Sequence, residues 1–358
     1  MNKKNYIKII AWIGLMVFMT VQAKKTVAQD ASFSQYYAAP LLLNPALSGN
    51  QTSTYFGANY RQKWRDKNFP INQMQFSAIH PIISKRGMKH NHLGGVGVSF
   101  YNETSGNERA LKQTSVRLNA AYNLFFDRGN QKISFGINGG FGQRSFDYAN
   151  LKWGTQYDNY FGYNPSIQSS VEQDGLLNDR VSYPVFGGGV MWFYSPKSRR
   201  GKAHVSYFAG FSAENLNQPD VSFTSAEGSK HELPVLYKVN AGINFTPASE
   251  LFKISPNLLY QSRDGQDQLN IGAYGTYYLS SSKFRKDFKS LIIGAWYRVN
   301  DAFIMNVGYE TPRYSVGVSY DTNTTYLDYN LAGGSALEVS LSYKLKRKKK
   351  QKFSTPMM

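Results

Sequence analysis

Val235-Leu236-Tyr237-Lys238-Val239-Asn240-Ala241-Gly242-Ile243-Asn244-Phe245 alternates residue by residue. Val235, Tyr237, Val239, Ala241, Ile243 and Phe245 make one apolar face; the other is mostly polar or Gly. The pattern recurs in Val116, Leu118, Ala120, Tyr122 and Leu124 against Ser115, Arg117, Asn119, Ala121 and Asn123. It recurs again in Leu337, Val339, Leu341 and Tyr343 against Glu338, Ser340, Ser342 and Lys344. Period two over this length means strands with two different environments. A soluble sandwich would turn the apolar face to a second sheet, in strands of about 5 or 6 residues. A tilted transmembrane strand needs about 9 to 11 residues, apolar toward lipid and polar or Gly toward the lumen. The length of these runs favours the barrel.

Working outward, the same reading places strands at 52–63, 71–80, 93–101, 112–125, 132–143, 183–194, 203–213, 234–245, 251–262, 268–279, 289–299, 302–310, 313–321 and 336–345. Fourteen is even, so both termini of the barrel are expected on the periplasmic side. The fold expected is all-β: an antiparallel transmembrane barrel of about 14 strands with periplasmic termini. The longest connections, 144–182 and 214–233, then both face outside, while Asp127–Gln131, Thr246–Glu250 and Thr311–Pro312 are short periplasmic turns. The turn near 81–92 and the very short outer loop at Asn300–Asp301 fit this pattern less well. Trp64, Phe100, Tyr101, Trp192, Phe193, Tyr194, Tyr297, Tyr309, Tyr320 and Tyr343 lie near strand ends, as interfacial aromatics would.

The N-terminus reads as an export signal. Lys3, Lys4 and Lys8 precede an apolar run, Ile9 to Val21, and small residues follow at Ala23 and Ala28. That is the order of a secretory signal peptide. The run is too short for a transmembrane helix, which needs about 20 residues. Cleavage after Ala28 is preferred to cleavage after Ala23, leaving Gln29 first. The expected organisation is a signal peptide (1–28), a periplasmic or lumen-packed segment (29–50), the barrel (51–345) and a basic periplasmic tail (346–358).

Composition narrows the functions. The 358 residues include no Cys, which excludes disulfides, thiolate zinc sites, Cys nucleophiles and a lipoprotein anchor. Aromatics at 15% argue against a disordered chain. The net charge of +18 invites a nucleic-acid reading, but export removes it. The leader takes Lys3, Lys4, Lys8, Lys24 and Lys25, leaving 36 cations against 23 anions. The even connections, adjacent strand ends, leader segment and tail hold 21 of those cations and five anions. The charge is thus polarised toward the periplasm. Lys346, Arg347, Lys348, Lys349 and Lys350 in the tail are candidates for contact with an acidic partner or anionic lipid.

After the cleavage site come Gln29-Asp30, Phe33-Ser34-Gln35-Tyr36-Tyr37, Pro40-Leu41, Leu43-Asn44-Pro45-Ala46 and Gly49. This block resembles the mature N-terminus of the PorP/SprF family, outer-membrane proteins of type IX secretion. Tyr60-Arg61 with Trp64 looks like that family's first strand. Ser319-Tyr320-Asp321-Thr322-Asn323, Gly333-Gly334-Ser335 and Glu338 to Leu341 look like its closing motifs. Leu337 stands where the family usually has His, so no role attaches to that position. The resemblance implies a non-enzymatic barrel whose partners are type IX components and a secreted cargo, in outer-membrane lipid. In the SprF-like branch the cargo is a giant gliding adhesin recognised through its C-terminal domain. In the PorP-like branch the protein links the machinery to periplasmic components. Length and long outer loops lean toward the first.

The motif residues Phe33, Gln35, Tyr36, Tyr37, Pro40, Asn44 and Pro45 carry apolar groups in a leader too short for a domain, so those groups must bury somewhere. The lumen, or the periplasmic mouth, is the expected place, with Pro40 and Pro45 holding the segment extended. Stability packing is preferred to direct partner contact. No chemistry competes: His90-Asn91-His92 lacks a nearby third ligand, and no Ser/His signature appears. Gly94-Gly95-Val96-Gly97 and Gly139-Gly140-Phe141-Gly142 precede no helix and read as close packing rather than phosphate loops. Asp158, Glu172, Asp174 and Asp179 lack EF-hand spacing. Neither a catalytic, a metal nor a cofactor site is expected. A small-solute channel is the rival function.

Overall fold

The computed structural model describes residues 33–64, 70–84, 92–106, 109–148, 152–158, 162–164, 166–167, 179–196, 202–223, 230–279, 288–324 and 335–345. Fourteen antiparallel strands close into a barrel. In chain order they are β1 (Tyr55–Lys63), β2 (Ile71–Ile83), β3 (His92–Ser105), β4 (Leu111–Phe126), β5 (Gln131–Phe146), β6 (Arg180–Tyr194), β7 (His204–Glu214), β8 (Leu236–Thr246), β9 (Phe252–Arg263), β10 (Gln266–Tyr278), β11 (Ser290–Arg298), β12 (Ala302–Glu310), β13 (Tyr314–Asn323) and β14 (Ala336–Lys344). Each pairs with its sequence neighbours, and β1 closes on β14 with Arg61 opposite Glu338. A two-residue ladder, Tyr157–Asp158 with Gly162–Tyr163, lies outside the barrel sheet.

All fourteen expected strands are present. β2 runs on to Ile83, with a register shift between Ile82 and Ile83, which shortens the connection that looked too long. The connections 147–179 and 215–235 lie at one end of the barrel, here called the long-loop end. Asp264–Gly265 and 299–301 are tight turns at that same end. β1 begins and β14 finishes at the opposite, short-turn end.

Burial runs opposite to that of a soluble protein. Leu118, Ile137, Phe141, Ile293 and Met305 point outward and are between 61% and 72% exposed. Glu338, Gln75, Lys132, Ser134, Ser212 and Ser290 point inward and are fully buried. In the stretch Val235–Phe245, Tyr237, Val239, Ile243 and Phe245 face out while Lys238, Asn240 and Asn244 face in. An apolar exterior around a polar interior is stable only with hydrocarbon outside. Strands of 9 to 16 residues suffice to cross it. No described helix is long and apolar enough to cross a membrane.

Two of the expected interfacial aromatics fall elsewhere. Tyr101 and Phe193 are buried against the lumen contents, whereas Trp192, Tyr297, Tyr320 and Tyr343 face outward. Successive strand residues alternate faces, so pairs such as Phe100-Tyr101 and Trp192-Phe193 cannot both meet lipid.

Candidate functional site: the occupied lumen

Residues 33–50 lie inside the barrel. They form three short turns: a 3-10 turn at Tyr36–Ala38, a helical turn at Pro40–Leu43 and a 3-10 turn at Pro45–Gly49. The expectation of an extended segment is therefore corrected. Pro40 and Pro45 each open a turn, where the fixed φ is already helical and the missing N–H is not needed. The extended conformation falls instead on Asn44, before Pro45. The Asn44 side chain accepts from Ala46 N at 2.9 Å and donates to the carbonyls of Val190 and Phe211 at 3.2 and 3.0 Å.

The segment is held along its whole length. Phe33 packs edge-on against Tyr101 at 6.2 Å. Tyr36 donates to Asn257 at 2.6 Å and sets its ring across Trp296; Tyr37 does the same on Tyr274. Tyr55 and Gln75 donate to the Ala38 carbonyl, Ser212 to that of Leu43 and Ser134 to that of Ala46. Leu43, Ala46 and Leu47 join Met191, Phe193, Phe208 and Leu259 in one apolar cluster. At Gly95 and Gly136 a β-carbon would overlap backbone atoms of Ser48 and Ala46. Those glycines admit the segment; close packing was expected at Gly95, while Gly136 was not singled out in the sequence.

Two buried charged clusters fix the segment's course. In the first, the Glu338 carboxylate accepts from the backbone N–H groups of Ser34 and Gln35 at 2.7 and 3.2 Å and from Asn59 at 2.9 Å. Beside it, Asp321 pairs with Arg61 at 2.7 Å and Arg298 at 3.4 Å, and accepts from the Ser34 hydroxyl at 2.6 Å. Gln35 donates to Ser319 and the Glu338 carbonyl and accepts from Ser340. In the second, Glu214 pairs with Arg117 and with Lys238, which also donates to the Leu42 carbonyl. At the far end Lys132 donates to Asn50 at 2.9 Å and sits 4.3 Å over the Phe193 ring. A small cavity of about 40 Å³ remains, lined by Tyr36, Tyr37, Phe208, Lys253, Ser255 and Tyr274 among others.

The structure thus brings Phe33, Gln35, Tyr36, Tyr37, Pro40, Asn44, Pro45, Arg61 and Asp321 into the lumen. It does not bring Tyr60 and Tyr320, which are half exposed on the outer face. Trp64 caps the long-loop end of β1 with Lys63 4.5 Å from its ring, and Asn323 ends β13 half-buried. Lys346, Arg347, Lys348, Lys349 and Lys350 lie outside the described residues. His92 is buried in β3, while His90 lies outside the described residues. Among the described residues no group of three His, Cys, Asp or Glu is placed to hold a metal. Glu338, Asn59 and Arg298 are residues whose roles the sequence reading missed. Their signal was charged or amide groups on the polar face of a strand, where closure buries them.

An N-terminal motif bound to the closing motifs inside an outer-membrane barrel agrees with one comparison. The sequence matches the family described as type IX secretion system membrane protein PorP/SprF over residues 26–343. The chain belongs to the PorP/SprF family. It is an outer-membrane barrel of type IX secretion. No curated protein sequence matches it. Among solved structures, this PorP/SprF barrel is similar to the CymD monoaromatic hydrocarbon channel, at 10% identity and TM-score 0.42, covering 89% of this chain and 95% of that one. It is similar to a Pseudomonas aeruginosa FadL homologue at 11% identity and TM-score 0.42, covering 85% and 93%. It is also similar to the Pseudomonas putida toluene transporter TodX at 10% and 0.39, covering 87% and 94%.

Proposed function

We propose that this PorP/SprF barrel is a non-enzymatic partner protein. It supports the secretion and surface attachment of a separate protein, of the gliding-adhesin kind recognised through its C-terminal domain. The observation that carries the proposal is the occupied lumen: residues 33–50 bond to groups of β1, β2, β4–β9, β11, β13 and β14. A segment seated and tied in this way takes up lumen space that a diffusion channel would fill with water, which supports the partner reading. What remains for recognition are its two ends. With the exported leader, the short-turn end faces the periplasm and the long loops face outside. The long loops and the length of the chain favour the cargo-partner role over a PorP-like link to periplasmic components.

Affinity purification of the tagged barrel from native outer membranes tests the proposal. Recovery of a large secreted protein is the expected result. Recovery of periplasmic components alone would move the assignment to the structural-link branch. Stable, porin-like conductance of the purified barrel in planar bilayers would overturn the partner reading in favour of a channel.

A further inference from the structure

The two buried charged clusters of the lumen differ in balance. In the first, Arg61 and Arg298 meet Asp321 and Asp301, with the Glu338 carboxylate opposite Arg61. In the second, Arg117 and Lys238 share the single carboxylate of Glu214. Two further arginines stand at this long-loop end: Arg144, third from the end of β5, and Arg263, the last residue of β9. The Tyr183 hydroxyl is approached by Arg144 and lies within electrostatic reach of Arg117 and Arg263. The register agrees. Tyr183 opposes Gly142, two residues before Arg144, and a β-carbon at Gly142 would overlap the Tyr183 ring. Gln261, two residues before Arg263, opposes Lys238. Among the described residues Glu214 is the carboxylate paired with Arg117 and Lys238, and Arg144 makes no ion pair. Glu103 stands at the same end, with its carboxylate bound by Gln73 and Tyr101 on the β2–β3 side.

Excess positive charge held away from bulk water is costly unless an anion answers it. The Arg117 side chain is 12% exposed, and its Nε has no hydrogen-bond partner. A guanidinium carries five donors in a fixed fork, and Arg117 binds Glu214 through NH1. We propose that Arg117, Arg144, Lys238 and Arg263 form an anion-binding vestibule at the long-loop end, which takes the carboxylate side chains of an acidic peptide. Glu214 shows that a carboxylate fits between these cations. The floor of the vestibule is the N-terminal segment: Lys238 donates to the Leu42 carbonyl, and the Leu42 side chain is only partly buried. Val181, also partly buried, opposes Arg144. Apolar side chains beside cations suit a peptide that mixes acidic and apolar residues better than a bare phosphate. With the segment below, the approach is from the long-loop end. The inference rests on the partner reading for its occupant in the cell; the binding chemistry belongs to the barrel alone.

The test titrates the purified full-length barrel, in detergent micelles, with a rhodamine-labelled peptide of alternating Glu and Leu, read by fluorescence anisotropy. The same peptide with Gln for Glu is the uncharged counterpart, and inorganic phosphate is the competitor. Saturable binding of the acidic peptide is expected, weakening as salt rises, with little binding of the Gln peptide. Arg144→Gln is expected to weaken binding on the order of tenfold, the loss of one charge-assisted hydrogen bond, and Arg144→Lys by less. Lys112→Gln removes an exposed cation of β4 at the same end and should bind like the wild type. Heat modifiability checks that each variant is folded, and Arg263→Gln serves should Arg144→Gln assemble poorly. No saturable binding, or equal losses in Arg144→Gln and Lys112→Gln, would overturn the vestibule. Displacement of the peptide by an equal concentration of phosphate would overturn the peptide assignment. Affinity purification from native membranes separates this inference from the partner reading. A secreted protein recovered with the wild type and lost with Arg144→Gln supports both. Equal recovery with the two overturns the vestibule and leaves the partner reading. Recovery with neither, while peptide binding persists, removes the partner reading alone.

Discussion

Ser34 and Glu338, 304 residues apart in sequence, meet at 2.7 Å, with the Ser34 backbone N–H donating to the carboxylate. Gln35 N and Asn59 Nδ2 donate to the same carboxylate. One buried side chain of the last strand thus holds the N-terminal segment and the first strand together. Replacing it with Ala leaves three buried donors without an acceptor, each costing about 1–3 kcal/mol. Glu338→Ala is expected to destabilise the barrel by roughly 3 kcal/mol or more, read from urea unfolding in lipid vesicles. Glu338→Gln, which keeps one acceptor oxygen, is expected to lose clearly less. Equal losses would remove the hydrogen-bond explanation.

Asp321 binds Arg61, Arg298 and the Ser34 hydroxyl. Removing one partner of a buried pair leaves an uncompensated charge, at about 3–5 kcal/mol. Asp321→Asn removes a carboxylate shared by Arg61 and Arg298, of which Arg298 keeps Asp301 at 3.0 Å, whereas Arg61→Met leaves a carboxylate that still has Arg298. The first is expected to cost more than the second. The double variant is expected to fall short of the sum by about 0.5–3 kcal/mol. Additive losses in the same unfolding assay would mean that the two groups do not cooperate.

The two glycines Gly136 and Gly188 provide a matched pair. A β-carbon at Gly136 overlaps the Ala46 backbone, which no rotamer change relieves, whereas at Gly188 its nearest neighbour is 3.6 Å away. Gly136→Ala is expected to displace the segment and expose residues 33–50 to limited proteolysis. Gly188→Ala should digest like the wild type. Protection of both variants would show that the segment is not seated against β5.

Lipid contact is testable by depth. Ile137 is outward-facing in the middle of β5, and Tyr343 is outward-facing near the end of β14. An arginine at the bilayer midplane costs about 2–4 kcal/mol, against about 0–1 near the interface. Ile137→Arg is expected to reduce folding into vesicles strongly and Tyr343→Arg only slightly. The reverse order would place the hydrocarbon band elsewhere on the barrel.

Deleting 31–45 separates structural from partner roles. The deletion removes Leu41 and Leu43 from the interior and takes away the backbone groups of residues 31–45 that Lys238 and Glu338 bind. Heat-modifiable barrel in the outer membrane is expected to fall sharply. A normal amount of barrel with secretion lost would instead assign the segment to the partner.

The strands were legible because period two is a local property, and local alternation survives in every one of the fourteen. The lumen was legible only in part. Glu338 reads as one polar residue among several on its strand, and nothing local says that closure carries it to Asn59, 279 positions away. Pro40 and Pro45 were misread because a proline fits an extended chain and the first turn of a helix equally well. Tyr101 and Phe193 were misread because strand-end aromatics were assigned as a class, although alternation already required one of each adjacent pair to point inward.

The binding of Gln35 to both β13 and β14, next to the carboxylate shared with β1, has a consequence for assembly. A one-residue slip of β14 would turn Leu337 and Val339 inward and Glu338 out to lipid. Ser34 would then face a hydrocarbon side chain, and the segment could not dock. A misregistered barrel would be left hollow and short of the contacts that stabilise the correct one. These contacts of the N-terminal segment therefore fit only the closure in which first and last strands meet in the native register.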